Sequence, residues 1–227
     1  MNETIKQAAT MILIRNGENG QGIEVYMTQR PDTMKFLPGF YVFPGGVMQP
    51  EDRDDQIHRL CVKQRLEVDL SYAVTAIREC FEEVGYLLAD FVPHQETRPL
   101  SEIRTRLEAG QLQFREWVVE KQIHLQTDKI RYYGHRITPR TVSPRRFDTR
   151  YFLTVLPRSI ELIPSEKEVA RAAWMDPLYA LQQAEKGIFK MVFPTKDALT
   201  DLARFDSAYD AFQNGQGVGT PRPHELA

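Results

Sequence analysis

The stretch Arg78-Glu79-Cys80-Phe81-Glu82-Glu83-Val84-Gly85 carries more information than any other part of the 227-residue sequence. It closes a run, residues 71–84, in which apolar side chains recur at helical spacing. We therefore predict a helix that Ser71 caps and that Gly85 ends. On this helix three glutamates lie at positions i, i+3 and i+4, so their carboxylates share one face.

The shared face brings Glu79, Glu82 and Glu83 close enough to repel one another, by about a few tenths of a kcal/mol per pair when exposed. Burial increases that cost. A divalent cation relieves it, and Mg²⁺ and Mn²⁺ prefer carboxylate oxygens as ligands. We interpret the three glutamates as candidate metal ligands, with Arg78 pairing with one of them and orienting it. The alternative is an acidic helix face in solvent, which such runs usually form.

Composition and charge are typical of an ordinary globular protein. Hydrophobic residues make up 42% of the sequence and charged residues 26%. The formal net charge of −2 provides no bulk attraction to nucleic acid, and no apolar run approaches the roughly 20 residues of a membrane helix. Two cysteines provide no disulfide framework. We therefore expect a cytoplasmic protein with neither a nucleic-acid nor a membrane partner.

The rest of the sequence alternates short apolar segments with helical patterns. We predict strands over residues 8–15, 23–29, 40–43, 129–137, 151–156 and 172–175. We predict helices over residues 101–109, 111–125, 178–185 and 196–212, together with a short helix between residues 50 and 70. Ser101 and Thr195 are the expected caps of two of these helices, and we expect the Gly- and Pro-rich tail from Gly215 to fray.

Two further segments are candidates for contacting phosphate. Gly45 and Gly46 follow a strand and let the backbone approach closely, so that free N–H groups can cradle a phosphate or a carbonyl can join the ligands of a metal. The same pair also suits a plain turn. Four arginines lie between residues 140 and 150, beside a predicted strand. They either bind a phosphate or form a solvated rim, and the sequence favours neither.

Together with Gly46, Glu51 and Asp52, the stretch 78–86 resembles the Nudix box. In that family a Gly, a Glu and the tail Arg-Glu-apolar-x-Glu-Glu-x-Gly-apolar form a loop-helix-loop that holds divalent metal. The tail is matched at every defined position when Cys80 and Tyr86 count as apolar. An insertion at about residues 50–70 lengthens the front half of the box, so the first acidic position is either Glu51 or Asp52.

The insertion is similar to that of a Nudix subgroup, the coenzyme A diphosphatases, in which the box is interrupted. Those enzymes carry a signature ending in Arg-x-x-x-Gly-x-x-x-Phe-Pro-Gly-Gly. This sequence has Lys35-Phe36-Leu37-Pro38-Gly39-Phe40-Tyr41-Val42-Phe43-Pro44-Gly45-Gly46, with Lys35 where the signature has Arg. Residues 146–152 also resemble a segment of the subgroup, so the resemblance covers roughly residues 8–180.

For structure, the resemblance implies the Nudix fold. This is an α/β (α+β) arrangement in which a mixed β-sheet is sandwiched between helices. Residues 1–227 would then form a single Nudix domain with a helical elaboration at about residues 100–127 and a C-terminal helix at about residues 195–213.

For function, the resemblance implies metal-dependent hydrolysis of a diphosphate bond in a nucleoside diphosphate derivative. Coenzyme A or an acyl-CoA is the favoured substrate, and ADP-ribose, a nucleotide sugar or a dinucleotide is the alternative. A second alternative is a non-catalytic module that senses a nucleotide. Many relatives are dimers, so a homodimer is also open.

The resemblance also assigns roles to residues. Glu79, Glu82 and Glu83 would hold Mg²⁺ or Mn²⁺, and Glu79 or Glu82 would act as the general base. Arg78 would hold a neighbouring carboxylate in place. A candidate for an extra base or ligand is Glu166 or Glu168. The candidates for contacting the substrate are Arg30, Lys35, Gly45, Gly46, Arg145 and Arg146.

Overall fold

The computed structural model describes residues 5–63, 65–90, 98–140 and 145–219, which hold nine strands and seven α-helices. The strands are β1 (Lys6–Asn16), β2 (Ile23–Gln29), β3 (Tyr41–Val42), β4 (Gly45–Val47), β5 (Ala89–Asp90), β6 (His124–Leu125), β7 (Arg131–Ile137), β8 (Phe147–Val155) and β9 (Arg171–Met175). The helices are α1 (Asp55–Arg59), α2 (Leu70–Val84), α3 (Leu100–Glu108), α4 (Phe114–Glu120), α5 (Pro177–Glu185), α6 (Phe193–Leu202) and α7 (Ala208–Asn214). Among these helices, none combines the length and the apolar character that a membrane crossing requires.

Strand β1 is the centre of a seven-stranded mixed sheet. One of its edges pairs antiparallel with β2 and β4, and the other pairs parallel with β8. Strand β7 extends the sheet beyond β8, whereas β3 and β9 both pair with β2. The predicted mixed sheet is confirmed, and β4 brings Gly45 and Gly46 directly beside the start of β1.

The alternation of side chains along β1 supplies two separate cores, one on each face of the sheet. Met11 and Leu13 belong to a core that α2 and α4 complete, whereas Ile12 and Ile14 belong to a core with α6 and α7. Burial of each such side chain contributes about 1.5–3 kcal/mol, so both layers of helices are firmly held. Helices thus cover both faces of the sheet, as the Nudix resemblance implied.

Helix α2 is almost completely buried between the sheet and the helical elaboration. The ring of Phe81 stacks on that of Trp117 in α4, with the ring centroids 5.5 Å apart. Asp69 caps the helix by accepting the N–H of Ser71 at 2.8 Å, so the predicted cap at Ser71 was two residues late. The helix ends at Gly85, as predicted, because this residue adopts a left-handed conformation with φ of 76°.

The helical elaboration is shorter than the sequence pattern suggested. Helix α3 has Pro99, rather than the expected Ser101, at its N-cap. The second predicted helix, residues 111–125, was wrong beyond α4. The chain turns at Gln122, where φ is 51°, and the next residues form β6 instead, because pairing with β5 outweighs the local helical preference.

The predicted C-terminal helix, residues 196–212, is in fact two helices. Helix α6 starts earlier, with Pro194 in its first turn, and Thr195 lies inside it rather than at the cap. The chain then leaves the helix, and Ser207 caps α7 by accepting the N–H of Asp210 at 3.1 Å. A cap inside the predicted helix divides it because that hydroxyl satisfies the free N–H groups of a new helix start.

The tail from Gly215 packs against β7 over its first residues, contrary to the expected fraying. Val218 is buried and its N–H donates to the carbonyl of Tyr133. Gly134 provides the close approach, since a side chain there would collide with the backbone of Val218. Residues 220–227 lie outside the described part of the chain, so the prediction for them stays a prediction.

Candidate active site

Arg78 is the hub of the site. It lies on α2 with 1% of its surface exposed, and its guanidinium is surrounded by acceptors from α2, from β4 and from the turn at residues 50–53. Nε and Nη2 each donate to a carboxylate oxygen of Asp52 at 3.0 Å. Nη1 donates to Glu79 at 2.8 Å and to Glu82 at 3.0 Å, and Nη2 also donates to the carbonyl of Val47 at 3.0 Å. One buried cation therefore joins three carboxylates to strand β4.

The structure shows which of the two acidic residues Glu51 and Asp52 contacts Arg78. It lies in a 3₁₀ turn, Pro50–Arg53, and is 2% exposed, whereas Glu51 is half-buried. Besides Arg78, its carboxylate accepts the hydroxyl of Thr75 at 2.8 Å and the N–H of Gln49 at 2.9 Å. The structure thus places Asp52, rather than Glu51, against the arginine of the acidic helix.

Gly45 and Gly46 pass directly over the glutamates. The N–H of Gly45 donates to the carboxylate of Glu83 at 3.3 Å. A Cβ atom on Gly46 would lie 2.5 Å from Oε1 of Glu79, which is shorter than any real contact of this kind. A side chain at Gly46 would therefore displace the carboxylate of Glu79.

The three glutamates of α2 lie in an environment that disfavours their charge. Burial is the main cause, and it raises the pKa of Glu79 to about 7. Burial also raises the pKa of Glu82, and that of Glu83 stands well above its ordinary value. The negative charge of Glu168 raises the pKa of all three glutamates, whereas the positive charge of Arg30 lowers the pKa of Glu83. The cluster therefore holds more negative charge than its arginines balance.

A family model described as the NUDT19 Nudix domain matches residues 57–195 of the 227-residue chain. The chain belongs to the Nudix family. A crystal structure of a NUDIX hydrolase from Alicyclobacillus acidocaldarius resembles it with a TM-score of 0.82 and 30% identity, over 97% of this chain and 100% of that one. The Arg78 network described above is therefore the Nudix box of this chain.

Two curated relatives are more distant in sequence. The acyl-coenzyme A diphosphatase NUDT19 of Xenopus laevis is 24% identical over 249 residues, which cover 80% of this chain. A Caenorhabditis elegans protein named as nudix hydrolase 7 is 25% identical over 180 residues, which cover 79% of this chain. The chain spans 66% and 56% of the lengths of these two relatives, respectively.

Nudix hydrolases generally use divalent metals, and the donor chemistry of this box fits such an ion. Carboxylate oxygens are hard ligands, and a cation would balance the excess negative charge. Across residues 5–63, 65–90, 98–140 and 145–219, however, no three His, Cys, Asp or Glu side chains are already arranged around one metal position. Glu79 and Glu82 turn towards Arg78, whereas Glu83 turns towards Gly45.

The other predicted residues differ in their relation to the box. Arg30 lies near Glu83 and donates to the carbonyl of Phe36 at 3.0 Å. Arg146 donates to the carbonyl of Thr138 at 2.8 Å, so it fastens the start of β8 to the end of β7. Lys35 and Arg145 are exposed.

The two candidate extra glutamates are both exposed in the loop that precedes β9. Glu168 is close enough for its charge to act on all three box glutamates. Beside them, the buried hydroxyl of Ser165 has no hydrogen-bond partner among the described residues, and its backbone N–H donates to the carbonyl of Glu83 at 2.7 Å. This side of the box thus presents one acidic side chain and one hydroxyl without a partner among the described residues.

A surface cavity of about 360 Å³ lies away from the box glutamates, between β2, β9 and the loop that follows β8. Its aromatic wall is Trp174, which the guanidinium of Arg15 covers at 4.2 Å from the ring centroid. Arg15 and Arg158 both pair with Glu24, at 2.6 and 3.1 Å. Because its ring face and its charges already have partners, we assign no role to this cavity.

Two residues of the site were missed at the level of sequence. Thr75 lies one turn before Arg78 and holds Asp52, but a threonine inside a helix gives no recognisable signal. Arg104 lies on α3, and its guanidinium donates to backbone carbonyls at the end of α2. A contact to a backbone carbonyl cannot be recognised from the pattern of side chains in the sequence.

Proposed function

We propose that the chain hydrolyses a diphosphate bond in a nucleoside diphosphate derivative, with Mg²⁺ or Mn²⁺ as cofactor and coenzyme A or an acyl-CoA as substrate. The observation that carries this proposal is the buried box network, in which a single arginine is shared by Asp52, Glu79 and Glu82 while, among the described residues, Glu83 accepts from the backbone N–H of Gly45. Such a surplus of buried carboxylates costs stability and is expected where binding or catalysis needs it.

The box residues divide the chemistry between them. Glu79, Glu82 and Glu83 would hold the metal, which supplies charge neutralisation for the diphosphate and polarises the phosphorus under attack. Glu79 or Glu82 would take a proton from water as the water oxygen bonds to one phosphorus. The bridging P–O bond then breaks, and the two halves leave as phosphate esters. Arg78 would keep the carboxylates in place throughout.

Substrate phosphates would be bound by groups around the glycine pair. The candidates are the side chains of Arg30, Lys35 and Arg146 and the backbone of Gly45 and Gly46. Arg30 is best placed, since its charge already acts on Glu83. The preference for coenzyme A is supported by the Lys35–Gly46 signature and by the similarity to the acyl-coenzyme A diphosphatase of Xenopus laevis. We also propose a cytoplasmic location, for which the two buried free cysteines are the support.

The test is a panel of coenzyme A, an acyl-CoA, ADP-ribose, a nucleotide sugar and a dinucleotide, each incubated with Mg²⁺ or Mn²⁺ and analysed by product identity. We expect coenzyme A to give a 3′,5′-ADP-type nucleotide and 4′-phosphopantetheine. A clear preference for another member of the panel would overturn the substrate and keep the reaction. If every compound stays intact, the proposed reaction is wrong.

A further inference from the structure

Arg104 of α3 binds the carboxyl end of the box helix. The residue is 8% exposed, and its guanidinium lies against the last turn of α2. Nε donates to the carbonyl of Glu82 at 2.9 Å, and Nη2 donates to the carbonyl of Glu83 at 3.5 Å. The last carbonyls of a helix lack partners within it and carry partial negative charge, so a buried guanidinium is well matched to them.

The same guanidinium also holds the loop that follows β8. Its Nη1 donates to the carbonyl of Ile163. Gly85 leaves room for this contact, because a Cβ atom there would lie 2.9 Å from Nη1 of Arg104. Two backbone hydrogen bonds also join the loop to α2. The N–H of Ile163 donates to the carbonyl of Val84 at 3.0 Å, and the N–H of Ser165 donates to the carbonyl of Glu83 at 2.7 Å.

This loop presents Glu168 to the box. The turn around Glu168 is closed by a bond from the N–H of Val169 to the carbonyl of Ser165 at 2.9 Å. The N–H of Ala170 then donates to the backbone carbonyl of Gln29 in β2 at 2.8 Å. Glu168 is thus placed by a short chain segment that is fixed to α2 at one end and to the sheet at the other.

Helix α3 reinforces the arrangement through a second residue. Glu108 pairs with Nε of Arg104 at 3.4 Å and with Lys167 of the loop at 3.7 Å. The Lys167 pair is exposed and contributes little by itself. The buried Arg104 contacts both the box helix and the loop, and so links both of them to the elaboration.

We propose that Arg104 is a positioning residue that holds Glu168 at the metal-binding face of the Nudix box. The proposal rests on the proposed function, in which Glu168 serves as an additional ligand or base. It gives the helical elaboration a role, which is to place an acidic side chain that lies far from the box in sequence. Arg104 itself need not touch substrate or metal.

The test compares full-length Arg104→Ala, Arg104→Lys, Glu168→Gln and the double variant with the wild type. The matched control is Arg106→Ala, which removes a half-buried arginine two positions further along α3. Mn²⁺ affinity is measured by titration, and kcat and KM are measured on the best substrate of the panel. Hydrogen exchange at the amides of Ile163 and Ser165 reports the docking of the loop without substrate or metal.

We expect Arg104→Ala to weaken Mn²⁺ binding or lower kcat by about 10–100-fold, which is typical for a residue that orients a ligand, with little change in KM. The amides of Ile163 and Ser165 should exchange faster. Arg104→Lys should recover part of the loss, since a lysine can bind one carbonyl but cannot bridge three. Arg106→Ala should behave as the wild type.

The decisive comparison is the double variant. If Arg104 acts through Glu168, the double variant should lose no more than Glu168→Gln alone. Additive losses would overturn the proposal, as would faster loop exchange with unchanged Mn²⁺ affinity and kcat. If the wild type binds Mn²⁺ but cleaves no substrate, the proposed reaction is wrong. The Mn²⁺ affinities of the Arg104 and Glu168 variants then test the positioning role of Arg104 by themselves. A wild type that does neither overturns both.

Discussion

Two buried acidic clusters lie among the described residues, and the glutamates of one are held differently from the aspartates of the other. In the Nudix box, Glu79 and Glu82 share the guanidinium of Arg78 with Asp52, which also accepts from Thr75 and Gln49. In the second cluster, beneath the tail, Asp197 accepts from Arg136 at 3.0 Å and from the N–H of Gly219 at 3.1 Å. The second cluster gives each carboxylate several donors of its own.

Asp201 shows the same pattern within the tail cluster. Its carboxylate accepts the hydroxyl of Tyr133, the N–H of Gly217 at 3.0 Å and a guanidinium N–H of Arg204 at 3.1 Å. A carboxylate with this many donors stabilises the fold without further help. The box glutamates instead have raised pKa values because they are buried with too little positive charge. The comparison separates a cluster that stabilises the fold by itself from one that we propose binds a cation.

The largest expected effect comes from Arg78→Ala. This change leaves several buried carboxylates without a cation, so we expect a loss of about 3–5 kcal/mol in the free energy of unfolding and no measurable turnover. Urea denaturation and product assays measure the two effects. Arg204→Ala is the control, because Arg204 is half-exposed and Asp201 keeps two other donors. If both variants lost the same amount of unfolding free energy and of turnover, the two clusters would not differ in the way that we infer.

Replacing one carboxylate of each cluster by an amide should affect the stability of the fold differently. Glu82→Gln should lower kcat by about 10²–10⁴-fold if Glu82 is the base, yet it should not destabilise the metal-free protein, since it relieves repulsion. Asp201→Asn should cost about 1–3 kcal/mol and leave kcat unchanged, because donors around it lose their acceptor. Thermal unfolding and steady-state kinetics test both. A destabilised Glu82→Gln with normal kcat would contradict this account.

Gly46→Ala should disturb the box alone. Its Cβ would displace the carboxylate of Glu79, so we expect kcat to fall about 10-fold. Gly110→Ala is the matched control, since nothing lies within 4 Å of a Cβ there and the φ of 67° should cost about 1–2 kcal/mol of stability without touching the box. Kinetics that are normal for Gly46→Ala would show that the approach of β4 to Glu79 is unimportant.

The smallest effect is on pH dependence. In the metal-free protein the pKa of Glu79 is about 7, against an ordinary value of 4.5. The folded state keeps a proton that the unfolded state releases, so the associated stability is present below pH 4.5 and is lost as pH rises through 7. We expect the Tm of the metal-free protein to fall by about a few °C more than that of Glu79→Gln between pH 5 and pH 8. Parallel Tm profiles would contradict the raised pKa.

The parts of the site that follow from local spacing could be predicted from the sequence. The glutamates of α2 and the stop at Gly85 depend on helical geometry within eight residues, and the structure has the helix where it was expected. Asp52 could not be chosen over Glu51, because the insertion separates it from Arg78 by a distance that only tertiary packing closes.

Two other errors have the same origin. Residues 111–125 have helical periodicity, but the pairing of β5 with β6 is a long-range contact that overrides it. Arg104 was missed because its partners are backbone carbonyls of α2 and of the loop after β8. Sequence patterns record side chains, so a contact made to a main chain is visible only in the fold.

The most direct test of the central claim is a Mn²⁺ titration of the metal-free wild type beside Glu82→Gln, Glu83→Gln and Asp201→Asn. The account predicts that the wild type and Asp201→Asn bind Mn²⁺ equally well, whereas each box variant binds it about 10–100-fold more weakly. Equal affinity in all four proteins would mean that the box glutamates are only a charged helix face, and the proposed function would be wrong.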